Sequence, residues 1–237
     1  MKKLYKVSSY KQVSNGFHIL LDGRAVKTKS GQEILVSSVD IAERIVLEWA
    51  NQGDVIDPQT MPLTQIVNTK IDHVLKNRAK MTSVILKYLD TDLLCYLASE
   101  PKELVDLQEE KWGKCRSWFE GKSNYKLKTT NGLVAISQSE EIHKFVNDYV
   151  SGLNYDEFTA LQIIVPLSGS LILGMVMVSG QLNSQEVLDA CFVEEDFKDT
   201  LYNSEKCGTD PYIVSKKQAA ITDLQACEIY LQACKTF

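Results

Sequence analysis

The sequence predicts an α+β protein, with a small β-rich N-terminal domain (residues 1–80) and a larger all-helical C-terminal domain (residues 81–237). Short β-prone runs separated by turn signals fill the first 36 residues, and later apolar residues recur with helical spacing. The run from Leu161 to Val178 is the most apolar part of the chain, and a helix that is apolar all round must be buried on every side. With 237 residues and 44% hydrophobic content, the chain can form a core around such a helix.

The β-rich domain begins with four short strands, each bounded by Gly, Asn, Asp or Ser. The predicted strands are Leu4–Tyr10, Phe17–Leu21, Ala25–Thr28 and Glu33–Val36. Asp22-Gly23 is a strong signal for a two-residue hairpin turn, so the second and third strands are expected to pair.

Two helices are expected to complete this domain. The first runs from about Val39 to Gln52 and is capped by Ser37, with Trp49 as a core anchor on its apolar stripe. The second is capped by Thr64.

The apolar run must first be tested as a membrane span, because no charged residue occurs between Glu157 and Glu186. Polar and helix-breaking residues interrupt the run, and its flanks are acidic with no nearby Lys or Arg cluster. We therefore predict no membrane span. The expected structure is a helix ending near Val165 and, from Pro166, a second helix (about Leu167–Val178) that is buried on every side. Gly169 and Gly174 are expected where neighbouring helices pack against a bare backbone.

Charge and cysteine usage exclude several classes of protein. Residues 1–31 hold seven Lys or Arg and one acid, a charge of +6, so the net charge of −5 leaves −11 for residues 32–237. This acidity disfavours nucleic acid as the main partner.

Six cysteines without a CxxC pair, together with three histidines, favour reduced thiols over disulfides or a metal site. The basic start lacks the apolar segment of a signal peptide and does not resemble a mitochondrial presequence.

No catalytic constellation is visible, and no cofactor is expected, because glycine-rich phosphate loops and known nucleophile motifs are absent from the sequence. Asp90 and Asp92 could form a carboxylate pair, but residues two apart on a helix point to different faces. Capping of a helix break or a buried hydrogen bond is the favoured interpretation. An enzyme with an unrecognised site remains the alternative, with Cys95 as its best candidate nucleophile.

Several segments, in order along the chain, resemble one protein family. The strongest are Leu21–Thr28, Glu48-Trp49, Ile56–Thr64 with Asn68-Thr69, Ile71-Asp72 and Thr91–Tyr96; weaker ones are Gln108 with Trp112 and Trp118, Ser170–Gly174 and Val193–Glu195. They are similar to the assembly chaperones for the alpha subunit of the ATP synthase catalytic head. The family usually has a Trp-Gly pair after its acidic helix, where this chain has Lys206-Cys-Gly208.

The resemblance implies a chaperone, not an enzyme, that binds the free alpha subunit and shields it during assembly. It implies a monomer located in the bacterial cytoplasm or, if the chain is eukaryotic and already processed, in the mitochondrial matrix.

Glu194 and Glu195 are the predicted partner-binding residues. They are expected at the C-terminal end of a helix that begins at Ser184, where acids oppose the helix macrodipole. Because acids at that position destabilise the helix, their presence indicates a use beyond folding, such as contact with a basic group on the partner. A solvated acidic helix end is the alternative interpretation.

Overall fold

The structure is a computed structural model that describes residues 2–132, 134–201 and 211–234. It confirms the α+β class: a small antiparallel sheet near the N-terminus is followed by a predominantly helical remainder. The departure from the family pattern at Lys206-Cys-Gly208 lies outside the described residues.

The sheet contains four strands, arranged around β2. They are β1 (Ser8–Val13), β2 (Gly16–Leu21), β3 (Arg24–Ala25) and β4 (Leu35–Val36), and β2 pairs antiparallel with each of the others. The hairpin turn at Asp22-Gly23 is confirmed, with φ values of 47° and 77°. The first strand begins at Ser8 instead of Leu4, because the N–H groups of Lys6 and Val7 donate to the Asp22 carboxylate and not to a neighbouring strand.

Helices α1 (Val39–Ala50) and α2 (Pro62–Thr69) follow the sheet. Trp49 is only 8% exposed, which confirms it as a core residue. The predicted caps are wrong: Ser38 occupies the N-cap of α1, and Thr64 lies inside α2. Glu48 takes the capping role at α2, since its carboxylate accepts from the N–H of Leu63 (2.7 Å) and from the N–H and hydroxyl of Thr64 (2.8 and 2.6 Å).

The remaining chain is helical, with short irregular turns between its elements. A short π-helix (Lys70–Val74) leads into α3 (Leu75–Ile85), and two 3₁₀ turns follow (Leu86–Thr91 and Leu93–Cys95). The later helices are α4 (Lys102–Ser123), α5 (Glu140–Gly152), α6 (Tyr155–Ser168), α7 (Leu171–Val178), α8 (Ser184–Cys191), α9 (Val193–Leu201) and α10 (Pro211–Cys234).

Helix α7 is the predicted buried helix, and all eight of its residues are buried. The expected break at Pro166 is wrong, because Pro166 lies inside α6 and the chain turns at Gly169 instead. Gly169 has the left-handed φ of 66° that ends a helix, and the Ser170 hydroxyl then accepts from the Leu173 N–H (2.9 Å) to cap α7. A Cβ at Gly174 would lie 2.7 Å from Val165 Cγ2, so the predicted close packing occurs at this glycine. The same prediction is wrong at Gly169, where a Cβ would have no heavy atom within 4 Å.

Contacts divide the chain into two units. Unit 1 comprises Met1–Arg78, Asn154–Ala160 and Ala226–Phe237, and unit 2 comprises Ala79–Leu153 and Leu161–Gln225. The division into folding domains at residue 80 stays a prediction, because a contact unit need not fold alone. Within the described residues, no helix is both long and apolar enough to cross a membrane.

Candidate partner-binding site

The acidic residues Glu194, Glu195 and Asp196 lie in the first turn of α9, so the predicted position at a helix C-terminus is wrong. Helix α8 ends at Cys191, and the chain restarts as α9 at Val193. Acids at a helix N-terminus interact favourably with the macrodipole. The argument that this pair carries a local cost therefore fails, and a partner-binding role for it must rest on other features.

Two of the three acids are held by side chains of unit 2. Glu194 Oε1 accepts from Gln108 Nε2 (3.1 Å), and Gln108 is only 2% exposed. The other end of the same amide, Gln108 Oε1, accepts from the Ala98 N–H (2.8 Å). Asp196 forms an ion pair with Lys217 of α10. These contacts fix the orientation of Glu194 and neutralise Asp196.

Glu195 differs from its two neighbours because its carboxylate makes no hydrogen bond or ion pair within the described residues. The side chain is partly exposed. Its negative charge adds to burial in raising the pKa of Cys191 to about 12. Of the predicted pair, Glu195 is therefore the carboxylate that is available to an external cation.

Two aromatic side chains make contacts just before the start of α9. Trp112 is buried in α4, and its indole N–H donates to the Ala190 carbonyl (2.8 Å). Phe192 is also buried, with the ammonium groups of Lys216 and Lys217 at 5.4 and 5.3 Å from its ring centroid. These contacts hold the end of α8 and Phe192, the residue that precedes α9.

The structure contradicts Cys95 as a nucleophile. Its side chain is fully buried, and burial, with the nearby Asp92 carboxylate, raises the pKa of its thiol to about 12. A thiol of this kind is neutral at physiological pH, and the thiolate is the reactive form. The cysteine accepts a hydrogen bond from Gln138 Nε2 (3.6 Å), a contact that supports packing.

Asp90 and Asp92 act separately, although Asp92 is not on a helix with Asp90: its backbone is extended (φ −63°, ψ 127°) between the two 3₁₀ turns. Asp92 is fully buried and accepts from the Ser170 hydroxyl (2.7 Å) and from the N–H groups of Ile172 (2.9 Å) and Leu94 (3.1 Å). It therefore caps both α7 and the second 3₁₀ turn, which confirms the buried hydrogen-bond interpretation.

Asp90 lies in a second cluster, beside the start of α5. Its carboxylate accepts from the Gln138 N–H (2.8 Å) and contacts His143 Nε2 (3.0 Å). The Ser137 hydroxyl donates to Asp90 (3.4 Å), not to His143, so this cluster lacks a serine activated by a base. In the part of the chain that the structure describes, no group of three His, Cys, Asp or Glu side chains could hold a metal ion.

Comparisons with known proteins identify the family. A model of the ATP12 chaperone protein family matches residues 2–120, just over half of the chain. The mitochondrial protein atp12 of Schizosaccharomyces pombe is 25% identical over 215 residues, which span 86% of this chain and 74% of that protein.

Solved structures agree with this match over almost the whole chain. The crystal structure of Atp12 from Paracoccus denitrificans has a TM-score of 0.85 at 26% identity, covering 98% of this chain and 97% of its own; a variant of that protein with a lysine in place of an aspartate gives the same values. The Atu1473 protein of Agrobacterium tumefaciens has a TM-score of 0.86 at 26% identity, covering 98% of this chain and 86% of its own. On the family match over residues 2–120, the chain belongs to the ATP12 chaperone protein family.

Proposed function

We propose that this protein is an assembly chaperone that binds the free alpha subunit of the ATP synthase catalytic head and shields it until its neighbouring subunit arrives. The observation that carries the proposal is membership of the ATP12 chaperone family, together with the sequence motifs that resemble alpha-subunit chaperones. Transient shielding of apolar surface requires no chemical step. The buried, protonated Cys95 thiol and the unactivated Ser137 hydroxyl support a non-enzymatic role.

The protein is proposed to act as a monomer, without a cofactor and without nucleic acid. Its location would be the bacterial cytoplasm or, for a eukaryotic chain, the mitochondrial matrix. Light scattering during gel filtration measures the mass of the protein in solution and so tests the monomeric state. The mass of a dimer would refute it.

The test of the partner is co-purification. A tagged full-length chain is produced together with the alpha subunit, in the absence of the other ATP synthase subunits, and the bound chains are identified. We expect recovery of the alpha subunit, and less light scattering from aggregating alpha when the chaperone is added. Recovery of other proteins only, with unassembled alpha present, would contradict the proposal.

Within this function, Glu194 and Glu195 are proposed to bind a basic group of the partner. Glu195→Lys is the sharper variant, because Glu194→Lys would also leave the buried Gln108 amide without its acceptor. We expect Glu195→Lys to weaken alpha capture, since repulsion replaces attraction.

A matched control is Glu140→Lys, which places the same charge change in the first turn of α5. Both variants lose a similar, small macrodipole contribution, about 0.3–1 kcal/mol. Equal binding by the two variants would rule out Glu195, and loss of the folding transition in the Glu195 variant would assign it to structure.

A further inference from the structure

Gln108, a residue of α4, connects the acidic first turn of α9 to buried backbone of unit 2. Its side chain is only 2% exposed. The amide nitrogen Nε2 donates to Glu194 Oε1 (3.1 Å), and the amide oxygen Oε1 accepts from the Ala98 N–H (2.8 Å). A backbone N–H can bond only the oxygen of an amide side chain, so the nitrogen is the atom that faces Glu194. The direction of this amide is therefore fixed at both ends.

Glu194 is held by the amide through one of its two carboxylate oxygens. The other oxygen, Oε2, makes no hydrogen bond within the described residues, and the side chain is partly exposed. A glutamate that is ordered only when a partner binds loses rotamer freedom at that moment, which weakens binding. Gln108 orders the carboxylate in the chain without a partner, so Glu194 is preorganised and one of its oxygens remains open.

The group that holds Glu194 also differs in charge from those that hold nearby acids. Three other acids of α8 and α9 are held by lysines: Glu186 by Lys114 (2.8 Å), Asp189 by Lys111 (3.7 Å) and Asp196 by Lys217. A lysine neutralises the acid that it contacts. The amide of Gln108 is neutral, so it orients the carboxylate and leaves its negative charge in place.

The remaining lysines of α9 and the start of α10 form no ion pair with Glu194 in the part of the chain that the structure describes. Lys198 follows Glu194 by one turn on α9 but makes no such contact. The Lys216 ammonium lies 5.4 Å from the centroid of the Phe192 ring. Glu194 and the adjacent Glu195 therefore carry two negative charges that no ion pair among the described residues balances.

We propose that Gln108 is a positioning residue of the client-binding site, and that it orients the Glu194 carboxylate, without neutralising it, toward a lysine or arginine side chain of the client. The inference rests on the proposed function, in which Glu194 and Glu195 bind a basic group of the free alpha subunit. Gln108 is too deeply buried to touch the client, so it acts only through Glu194.

A double-mutant cycle tests whether Gln108 acts through Glu194. Gln108→Met keeps an unbranched side chain of similar length and removes the amide. Glu194→Gln removes the negative charge and keeps an oxygen that can accept from Gln108. A third variant carries both changes. Binding of each full-length chain to the purified alpha subunit is measured by titration, and the melting transition of each chain is measured beside it.

Gln138→Met is the matched control, because Gln138 is a glutamine of unit 2 that is buried to a similar degree (5% exposed). Its Oε1 accepts from the Lys128 N–H (3.0 Å), and its Nε2 donates to the Lys128 carbonyl (2.9 Å). Gln108→Met and Gln138→Met each leave a backbone N–H without its acceptor, so both should lower the melting temperature. Only the change at Gln108 should weaken binding.

We expect Gln108→Met to weaken alpha binding about fivefold, because the Glu194 side chain is no longer ordered before binding. Glu194→Gln should weaken it at least about tenfold, because a charge attraction is lost. The double variant should bind no more weakly than Glu194→Gln, since Gln108 then has no charge to orient. Gln138→Met should bind within about twofold of the unmodified chain.

The outcomes separate this inference from the proposed function. If the unmodified chain binds alpha and Gln108→Met binds it equally well, the inference is overturned and the proposed function stands. Losses that multiply in the double variant would also overturn it, because Gln108 would then act independently of Glu194. An equal loss in Gln138→Met would assign the effect to stability. If the unmodified chain does not bind alpha, the proposed function and the inference both fail.

A second variant at the same position covers the case in which Gln108→Met does not fold. Gln108→Glu keeps the oxygen that accepts from the Ala98 N–H and removes the donor to Glu194. We expect it to weaken alpha binding at least as much as Gln108→Met, because a second carboxylate repels Glu194. Unchanged binding by a folded Gln108→Glu chain would equally overturn the inference.

Discussion

Replacement of Asp92 by alanine should destabilise the protein by about 4 kcal/mol. The carboxylate accepts hydrogen bonds from three donors, the Ser170 hydroxyl and the N–H groups of Ile172 and Leu94. Each buried donor left without an acceptor costs about 1–3 kcal/mol. Removal of a buried charge offsets part of that sum, which gives the net figure of about 4 kcal/mol.

Urea unfolding followed by circular dichroism measures this loss. With a slope of about 2–3 kcal/mol per M, the midpoint should fall by roughly 1.5 M. Asp90→Ala is the matched control two residues away, because Asp90 is partly exposed and its variant should lose only about 1–2 kcal/mol. A loss below about 1 kcal/mol for Asp92→Ala would refute the view that this carboxylate holds the start of α7 in place.

The same carboxylate gives a pH dependence of known sign. Burial raises the pKa of Asp92 to about 6, although bonds from Ile172, Ser170 and Leu94 oppose the shift. The pKa in the unfolded chain is about 3.9, so the folded state holds the proton more tightly between about pH 4 and pH 6. The free energy of unfolding contributed by this group therefore falls as the pH rises through that window, by up to about 3 kcal/mol.

Asp92→Asn isolates this effect, because asparagine does not titrate. The difference in unfolding free energy between the wild-type chain and the Asp92→Asn variant should fall between pH 4 and pH 6 and be constant above pH 7. A difference that stays flat, or one that rises over this window, would show that the hydrogen bonds outweigh burial and that the folded-state pKa is not raised.

Three further predictions follow from the packing. Trp49→Arg should lower the free energy of unfolding by at least about 3 kcal/mol, because it removes a buried ring and introduces a charge. The lost ring contacts Tyr5 edge to face, with 5.7 Å between the ring centroids. An unchanged melting temperature would place Trp49 at the surface. Gly174→Ala should cost about 1–3 kcal/mol, since its Cβ would approach Val165 Cγ2 to 2.7 Å, and a neutral result in urea unfolding would mean that α6 can move away. The Cys95 thiol should resist iodoacetamide in the folded chain and react after unfolding, as mass spectrometry of the labelled peptides can detect.

Local signals in the sequence predicted those elements that depend on local chemistry. Asp22-Gly23 determines its turn because both residues accept positive φ. The run that contains α7 predicted its own burial, because eight consecutive residues without a polar face cannot lie at a surface. The predicted capping and buried hydrogen bonds of Asp92 are also found, but the helical spacing of Asp90 and Asp92 does not explain them, because the chain is extended at Asp92.

The position of Glu194 and Glu195 could not be predicted in the same way, because a distant contact decides it. No glycine or proline marks a break between α8 and α9. In a continuous helix the Ala190 carbonyl would accept from the N–H of Glu194, but here it accepts from the indole of Trp112, 78 residues earlier. Periodicity within the segment carries no information on that bond, so the acids were assigned to the wrong end of a helix.

The acids of the motifs that resemble the chaperone family mainly hold the fold. Asp22 fixes the hairpin, Glu48 caps α2, Asp72 accepts from the hydroxyl groups of Thr28 and Ser30, and Asp92 caps α7. Each carboxylate has its hydrogen bonds inside one unit, so substitution at any of them should lower stability before it changes recognition. A partner contact requires a group whose bonds are not already made, which is the property that distinguishes Glu195 from Glu194 and Asp196. Most acids of these motifs therefore contribute to folding, and Glu195 is an exception, because its carboxylate has no bond within the described residues.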